Sequence, residues 1–289
     1  MKCLKATLSY FFDKGAQMVL LSVVPSLLAA LLFSPSAGLY MLASYEDIHA
    51  DSFASLYKQM HFLSYDFYWV GIIGLALCIF VIALLFGIVD RHMRIGEFTL
   101  SFRRAKTRIN YNILTALRFG LAAGVAFELA DVLLTLLYYA WARLFGSGAV
   151  WLVFALFSLI AVGLLLLFVM SAILLWSPFM LHTGLRTRDA FKMGWRQMSG
   201  RVFPSLVTLL VGMLPFVVVM TVVGAVTSST VARVVLDGLA VAVGIPYYVT
   251  LMYVQFYDVT GAERMDLNKT DLWSKRVVRK DKKTLRDKK

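Results

Sequence analysis

Residues 150–176 read VWLVFALFSLIAVGLLLLFVMSAILLW and contain no charged side chain. A hydrocarbon bilayer core of about 30 Å needs about 20 apolar residues of helix to cross it, and this run of 27 residues exceeds that length. Core helices of soluble proteins rarely stay free of charge for so long. The stretch therefore predicts a helix that spans a membrane, and it determines how the rest of the chain is interpreted.

Five more apolar stretches of similar character occur along the 289 residues. They cover residues 17–33, 68–89, 119–141, 203–226 and 231–257. Hydrophobic residues make up 60% of the chain and charged residues only 16%, whereas soluble domains contain about 25% charged residues. The composition and the pattern predict an all-α polytopic membrane protein with six transmembrane helices in one domain over residues 17–257.

The positive residues lie almost entirely in alternate connections between these stretches. All 29 Lys and Arg residues except Lys58, Arg143 and Arg233 fall in residues 1–16, 90–118, 177–202 and 258–289. Loops rich in Lys and Arg stay on the cytoplasmic side of a membrane. The pattern therefore predicts that both termini lie in the cytoplasm. The net charge of +12 could suggest binding to nucleic acid. The distribution of the charge argues against this, because predicted membrane-spanning helices separate the positive segments.

The connections themselves carry amphipathic patterns. Residues 34–67 combine acidic and aromatic residues, and their helical spacing predicts one or two helices on the outer face. The inner loops 90–118 and 177–202 predict two basic amphipathic helices, around residues 98–109 and after Thr187. Their cations are candidates for binding anionic lipid headgroups: Arg103, Arg104, Lys106, Arg108, Arg188, Lys192 and Arg196. Ordinary positive-inside connectors would have the same composition. The basic tail 258–289 is typical of a solvated, disordered segment.

Two carboxylates lie inside the third apolar stretch. Glu128 and Asp131 share one helical face near its middle, and Gly120 and Gly124 precede them on that face. Glycines at this spacing favour close packing of two membrane helices. Acidic residues in a span must face protein or water, or find a partner. They are therefore candidates for a proton or cation site, or for polar contacts that hold neighbouring helices together.

Prolines interrupt the last two apolar stretches at Pro215 and Pro246. A proline leaves one helical carbonyl without its donor, and broken helices often bind ions or substrate in transporters. Simple kinks of this kind are also common in membrane helices. The prolines are therefore added to Glu128 and Asp131 as candidates for one transport or ion-binding site.

No pattern for catalysis accompanies these features. The four histidines form neither a zinc-binding His-Glu-x-x-His helix nor a close ligand cluster with cysteine, and there is no glycine-rich phosphate loop. The sequence therefore predicts no enzymatic activity, no metal and no cofactor. A surface metal site that uses His49 and His61 is a weaker alternative.

Several short elements resemble the YesL family of small bacterial membrane proteins. One is the stretch Pro35–Tyr40 followed by Asp51–Lys58, and another is Pro178–Met180 with Gly184-Leu185 and Ala190–Gly194. The resemblance implies a bacterial plasma-membrane protein that is accessory to transport, and it implies no catalytic residues.

Two functions remain open at this point, with a lipid-modifying enzyme as a third and weaker alternative. The first is a non-enzymatic accessory or scaffold protein that binds anionic lipids or partner proteins through its inner face. The second is a small transporter or channel that uses a carboxylate site near the middle of the membrane.

Overall fold

A computed structural model describes residues 2–32, 52–61, 67–99, 102–146, 148–226 and 229–267. In this part of the chain the secondary structure consists of helices without strands, and eight of them are long enough to number. They are α1 (Lys2–Ala30), α2 (Phe53–Met60), α3 (Tyr68–Ile95), α4 (Phe102–Phe145), α5 (Ala149–Thr183), α6 (Thr187–Ser199), α7 (Val202–Val226) and α8 (Thr230–Thr260). The predicted all-α class is confirmed.

Five of these helices are long and apolar enough to cross a membrane: α1, α3, α4, α5 and α8. A sixth span results if α6 and the first part of α7, which are bent by 98° relative to each other, are counted together. The protein is therefore a polytopic membrane protein with five to six spanning helices.

The order of contacts shows how the helices run. Ser22 of α1 contacts Ala242 of α8, and Leu27 contacts Gly238, so residue numbers rise along α1 as they fall along α8. The beginning of α1 and the end of α8 consequently lie at one end of the bundle. We call this end, where α3 also leads into α4, the basic end, and the end where α4 turns into α5 at Gly146 the hairpin end.

The helix pair α4–α5 reaches further toward the hairpin end than its neighbour α3. Asn112 of α4 donates a hydrogen bond to the carbonyl of Ala83 at 3.1 Å, and a Cβ on Gly120 would lie 3.7 Å from Ile79. Continuing this antiparallel register at 1.5 Å per residue places Glu128 level with the first turn of α3. The last 14 or so residues of α4 extend beyond that level, at roughly 1.5 Å each.

The buried core has two parts. The larger one surrounds α8, in which every residue from Leu251 to Tyr257 is buried. The smaller one joins α2 to the hairpin of α4 and α5 through Leu56, Met60, Leu134, Tyr138, Trp151, Ala155 and Val162. Because α2 supplies Leu56 and Met60 to this cluster, it packs beside the part of the hairpin that α3 does not reach.

Glycines allow α1 to approach two neighbours closely, but they are not the pair that the sequence suggested. A Cβ on Gly74 would lie 2.2 Å from the backbone nitrogen of Ala29, and one on Gly238 would lie 2.7 Å from the Leu27 side chain. In the described part of the protein, by contrast, nothing lies within 4 Å of a Cβ on Gly124, and Gly120 has room for a methyl group. Among the described residues, Gly120 and Gly124 therefore do not mark the closest helix contacts, and their packing role stays a prediction.

Two predicted boundaries also change. Helix α1 begins at Lys2 and not near residue 17, so the predicted N-terminal segment is helical. The basic residues of the first inner loop do not form a separate surface helix, because α4 runs without a break from Phe102 to Phe145. In the second loop a separate basic helix, α6, does occur. Most of the predicted outer segment and residues 268–289 of the tail lie outside the described residues.

Candidate functional site

Glu128 is held by Tyr57 of α2 and by His61, the residue at the C-terminal cap of α2. The Tyr57 hydroxyl donates a hydrogen bond to Glu128 Oε1, and His61 Nε2 lies 3.2 Å from Glu128 Oε2. The His61 side chain is 4% exposed and that of Glu128 is 41% exposed. The carboxylate therefore has a phenol and an imidazole as direct partners while one side of it stays open.

The position of these two partners follows from the local sequence of α2. Ser52 caps the helix by accepting a hydrogen bond from the Ser55 backbone N–H at 3.2 Å, as serines commonly do at this position. Leu56 and Met60 then turn toward the hairpin core. Tyr57 comes directly after Leu56, and His61 comes directly after Met60. The two polar side chains are therefore four residues apart and lie side by side next to the apolar face.

Asp131 lies one turn beyond Glu128 and is half-buried. Its backbone carbonyl accepts a hydrogen bond from the Thr135 hydroxyl at 2.9 Å. The sequence singled out both carboxylates but gave no partner for them, because Tyr57 and His61 come from a distant segment. His61 was considered only as a metal ligand with His49, which lies outside the described residues. Among the described residues no group of three metal-ligating side chains occurs.

The two prolines lie on other helices than those around Glu128. Helix α4 packs mainly against α2, α3 and α5, whereas Pro215 is exposed on α7 and Pro246 is buried in α8. The structure therefore does not assemble the predicted four-residue site. It brings Glu128 together with α2 instead.

Pro246 has a structural partner. The carbonyl that a proline leaves free is the one four residues earlier, here that of Ala242. The buried Ser22 hydroxyl of α1 lies 2.6 Å from this oxygen and donates to it. Because an unpaired carbonyl in apolar surroundings is costly, this bond explains how α8 tolerates the proline and why its acceptor is not free for an ion.

We expect the cost of removing the Ser22 hydroxyl to depend on Pro246. Ser22→Ala should lower the free energy of unfolding by about 1–2 kcal/mol, because the Ala242 carbonyl loses its donor. In a Pro246→Ala background, residue 246 regains an N–H that bonds Ala242 within the helix, so the same change should cost clearly less. Thermal unfolding of the four proteins in detergent measures the coupling. Equal costs in both backgrounds would contradict this explanation.

A second feature is the exposed basic surface of α6. Arg188, Lys192 and Arg196 are all exposed on this helix. Its opposite side packs against α5, where Ala190, Gly194 and Met198 are buried. The predicted candidates on α6 therefore share one accessible surface.

Hydrogen bonds fix the start of α6 to two spanning helices. The indole Nε1 of Trp176 donates to the Thr187 carbonyl at 2.9 Å, and Arg118 donates to the Thr187 hydroxyl at 2.8 Å. Phe191 and Trp195, each about 40% exposed, lie next to the basic residues. A fixed helix with aromatic and cationic groups side by side suits the boundary between headgroups and acyl chains.

The candidates on α4 behave differently from one another. Lys106 is exposed, but Arg108 is half-buried and donates to both the carbonyl and the hydroxyl of Thr99, at 2.7 and 2.9 Å. Arg108 therefore holds the loop between α3 and α4. The side chains of Arg103 and Arg104 lie outside the described part of the structure.

A third feature, which the sequence did not indicate, is a polar cavity of about 460 Å³ near the basic end. Its walls come from α3, α4, α5 and α8. They include Asp90, Arg91, Arg94, Thr107, Arg108, Tyr111, Asn112, Thr115 and Tyr253. Most of these residues lie at the ends of apolar stretches, where charged residues normally mark the end of a membrane-spanning helix. The sequence alone therefore gave no reason to group them into a site.

One carboxylate organises the wall of this cavity. Asp90 Oδ1 lies 3.3 Å from His182 Nδ1 of α5, and Asp90 Oδ2 lies 3.5 Å from the guanidinium of Arg94. Arg91 forms a closer ion pair with Glu97, at 2.8 Å. The described residues of the cavity wall therefore carry three guanidinium groups and one carboxylate.

No protein-family model matches the chain, and no curated protein or solved structure is detectably similar to it. The resemblance to the YesL family stays a prediction.

Proposed function

We propose that the protein is a non-enzymatic accessory or scaffold protein of a bacterial plasma membrane, which binds anionic lipid headgroups and partner proteins at its basic end. The observation that supports this best is α6. Its three exposed cations lie beside two half-exposed aromatic rings, and the helix is held in place by bonds from α4 and α5. Because the helix is already fixed, binding headgroups costs little ordering entropy.

The basic end faces the cytoplasm in this proposal. The retention of Lys and Arg on the cytoplasmic side supports this orientation, and so does the shared end of α1 and α8. The exposed cations Lys106, Arg188, Lys192 and Arg196 then lie where the inner leaflet carries its negative charge.

Cysteine labelling in intact cells tests the orientation. A Lys192→Cys variant should not react with a membrane-impermeant maleimide added outside, whereas an Ala149→Cys variant at the hairpin end should react. Both native cysteines, Cys3 and Cys78, are buried and should give little background. External labelling of Lys192→Cys, with none at Ala149→Cys, would show the reverse orientation.

Neutralising the cations of α6 should weaken lipid binding. In nanodiscs with phosphatidylglycerol and phosphatidylcholine, the triple change Arg188→Gln, Lys192→Gln and Arg196→Gln should reduce retained phosphatidylglycerol, counted by native mass spectrometry. The expected loss is about 1 kcal/mol per charge at low salt. Arg143→Gln, an exposed cation near the hairpin end, is the control. An unchanged phosphatidylglycerol count for the triple variant would refute the role of α6.

A transporter or channel is the second candidate, because two side chains of α2 converge on Glu128. An imidazole next to a carboxylate can exchange a proton with it, and the site lies in an apolar stretch between Arg118 and Arg143. In this candidate Glu128 carries the proton or cation, and Tyr57 and His61 orient its carboxylate.

Two variants separate transport from a structural role of Glu128. If Glu128 carries the ion, Glu128→Gln should abolish proton- or cation-dependent flux into liposomes, whereas Tyr57→Phe, which keeps the carboxylate, should retain part of it. If the contacts only fix α2, both changes should lower the free energy of unfolding by about 1–2 kcal/mol. Wild-type liposomes without flux would then leave transport without support.

A further inference from the structure

The cavity at the basic end has more positive charge than its structural contacts need. Among the described residues, its wall contains the guanidinium groups of Arg91, Arg94 and Arg108 and one carboxylate, that of Asp90. Glu97 neutralises Arg91 at 2.8 Å, and Asp90 lies between Arg94 and His182. The net charge of the wall therefore favours an anion.

Arg94 is only loosely held in this wall. Its guanidinium is 3.5 Å from Asp90, which is longer than a good charged hydrogen bond of about 2.7–2.9 Å. The Arg94 side chain is 52% exposed, whereas that of Asp90 is 13% exposed. Asp90 thus keeps Arg94 at the edge of the cavity and leaves most of its N–H groups for another acceptor.

A buried hydroxyl points to the same conclusion. Tyr253 lines the cavity, is fully buried, and its hydroxyl has no hydrogen-bond partner in the described part of the protein. Buried hydroxyls are nearly always bonded, because an unpaired one costs about 1–3 kcal/mol. Thr115 adds a second, nearly buried hydroxyl to the wall. Residues with donors of two kinds, guanidinium and hydroxyl, therefore line one partly open cavity.

We propose that this cavity binds the phosphate group of a phosphomonoester or phosphodiester. A tetrahedral oxyanion offers several acceptors, which match the forked N–H groups of arginine and the single donors of the hydroxyls. The volume of about 460 Å³ exceeds what a phosphate needs and lies in the range of ligand-binding cavities. The cavity therefore has room for a further group attached to the phosphate, as in a lipid headgroup or in a small soluble phosphate ester.

This site goes beyond the proposed function and is separate from the surface of α6. None of the α6 cations lines the cavity. The cavity binds one ligand at defined residues, whereas α6 attracts many headgroups by charge. The two can therefore be removed independently.

Calorimetric titration of the full-length protein in neutral detergent tests the site. The probes are glycerol 3-phosphate and short-chain dihexanoyl phosphatidylglycerol. We expect saturable binding of one molecule of at least one probe per protein. Binding of both shows that the phosphate ester suffices, and binding of the lipid alone identifies a membrane lipid as the source.

Three variants connect the binding to the cavity. Arg94→Gln should raise Kd about tenfold or more, because a charged donor is lost, and Tyr253→Phe should raise it several-fold. If Tyr253 has only a structural role, Tyr253→Phe should leave Kd unchanged. It should then also keep or raise the melting temperature, because an unpaired buried hydroxyl has been removed. Arg188→Gln on α6 is the matched control and should leave Kd unchanged.

Two results would overturn the proposal. One is that neither probe binds the wild-type protein. The other is that Kd stays unchanged in both Arg94→Gln and Tyr253→Phe, while thermal unfolding curves show that both variants are folded. Loss of lipid retention in the triple α6 variant with normal titration of the cavity would show that the two sites are distinct.

Discussion

The close approach of α1 to α3 and α8 is the constraint on which the rest of the bundle depends. Gly74 and Gly238 leave no space for a side chain at these two contacts. At this distance the Ser22 hydroxyl reaches the Ala242 carbonyl of α8, which lacks its helical donor because of Pro246. Backbone groups in an apolar environment must be satisfied within the protein. Close packing therefore makes the kinked, buried α8 possible, and the other helices surround it.

Clusters of polar side chains occur at two levels of this bundle. Near the basic end, Asp90 holds Arg94 and His182 around a cavity, and α6 presents its cations on the surface. Toward the hairpin end, Glu128 is held by α2. The first level offers positive charge to an anion, whereas the second offers a carboxylate with an adjacent imidazole. Their chemistry is opposite, so a single ligand does not account for both.

Sequence reasoning was most successful where one local property decides the structure. The charge-free run 150–176 became α5, and the basic pattern after Thr187 became α6. It was less successful where contacts between distant segments decide. Gly120 and Gly124 have the spacing of a packing motif, but in the described part of the protein a Cβ on Gly120 would only touch Ile79 and one on Gly124 would touch nothing, while Gly74 meets α1. Helical spacing shows which residues share a face, but it does not show which face meets a neighbour.

The candidate sites show the same limit. Glu128 stood out because a carboxylate in an apolar stretch is costly, but its partners Tyr57 and His61 belong to a helix that precedes α3. The cavity was missed because Asp90 and Arg94 have the composition of an ordinary helix boundary. Tyr253 was missed because an aromatic residue in an apolar run is normally a packing residue. Only the fold brings these three residues to one wall.

The shortness of α2 has a consequence for how it folds. Eight residues are too few to maintain a helix on their own in water, where about 12–15 are marginal. The segment therefore acquires its helical backbone only while Leu56 and Met60 rest on the hairpin. Docking and helix formation are one cooperative event for this segment. When α2 detaches from the hairpin, it should lose its helical backbone together with its contacts to Glu128. Attachment should therefore be a two-state transition without a detached helical intermediate.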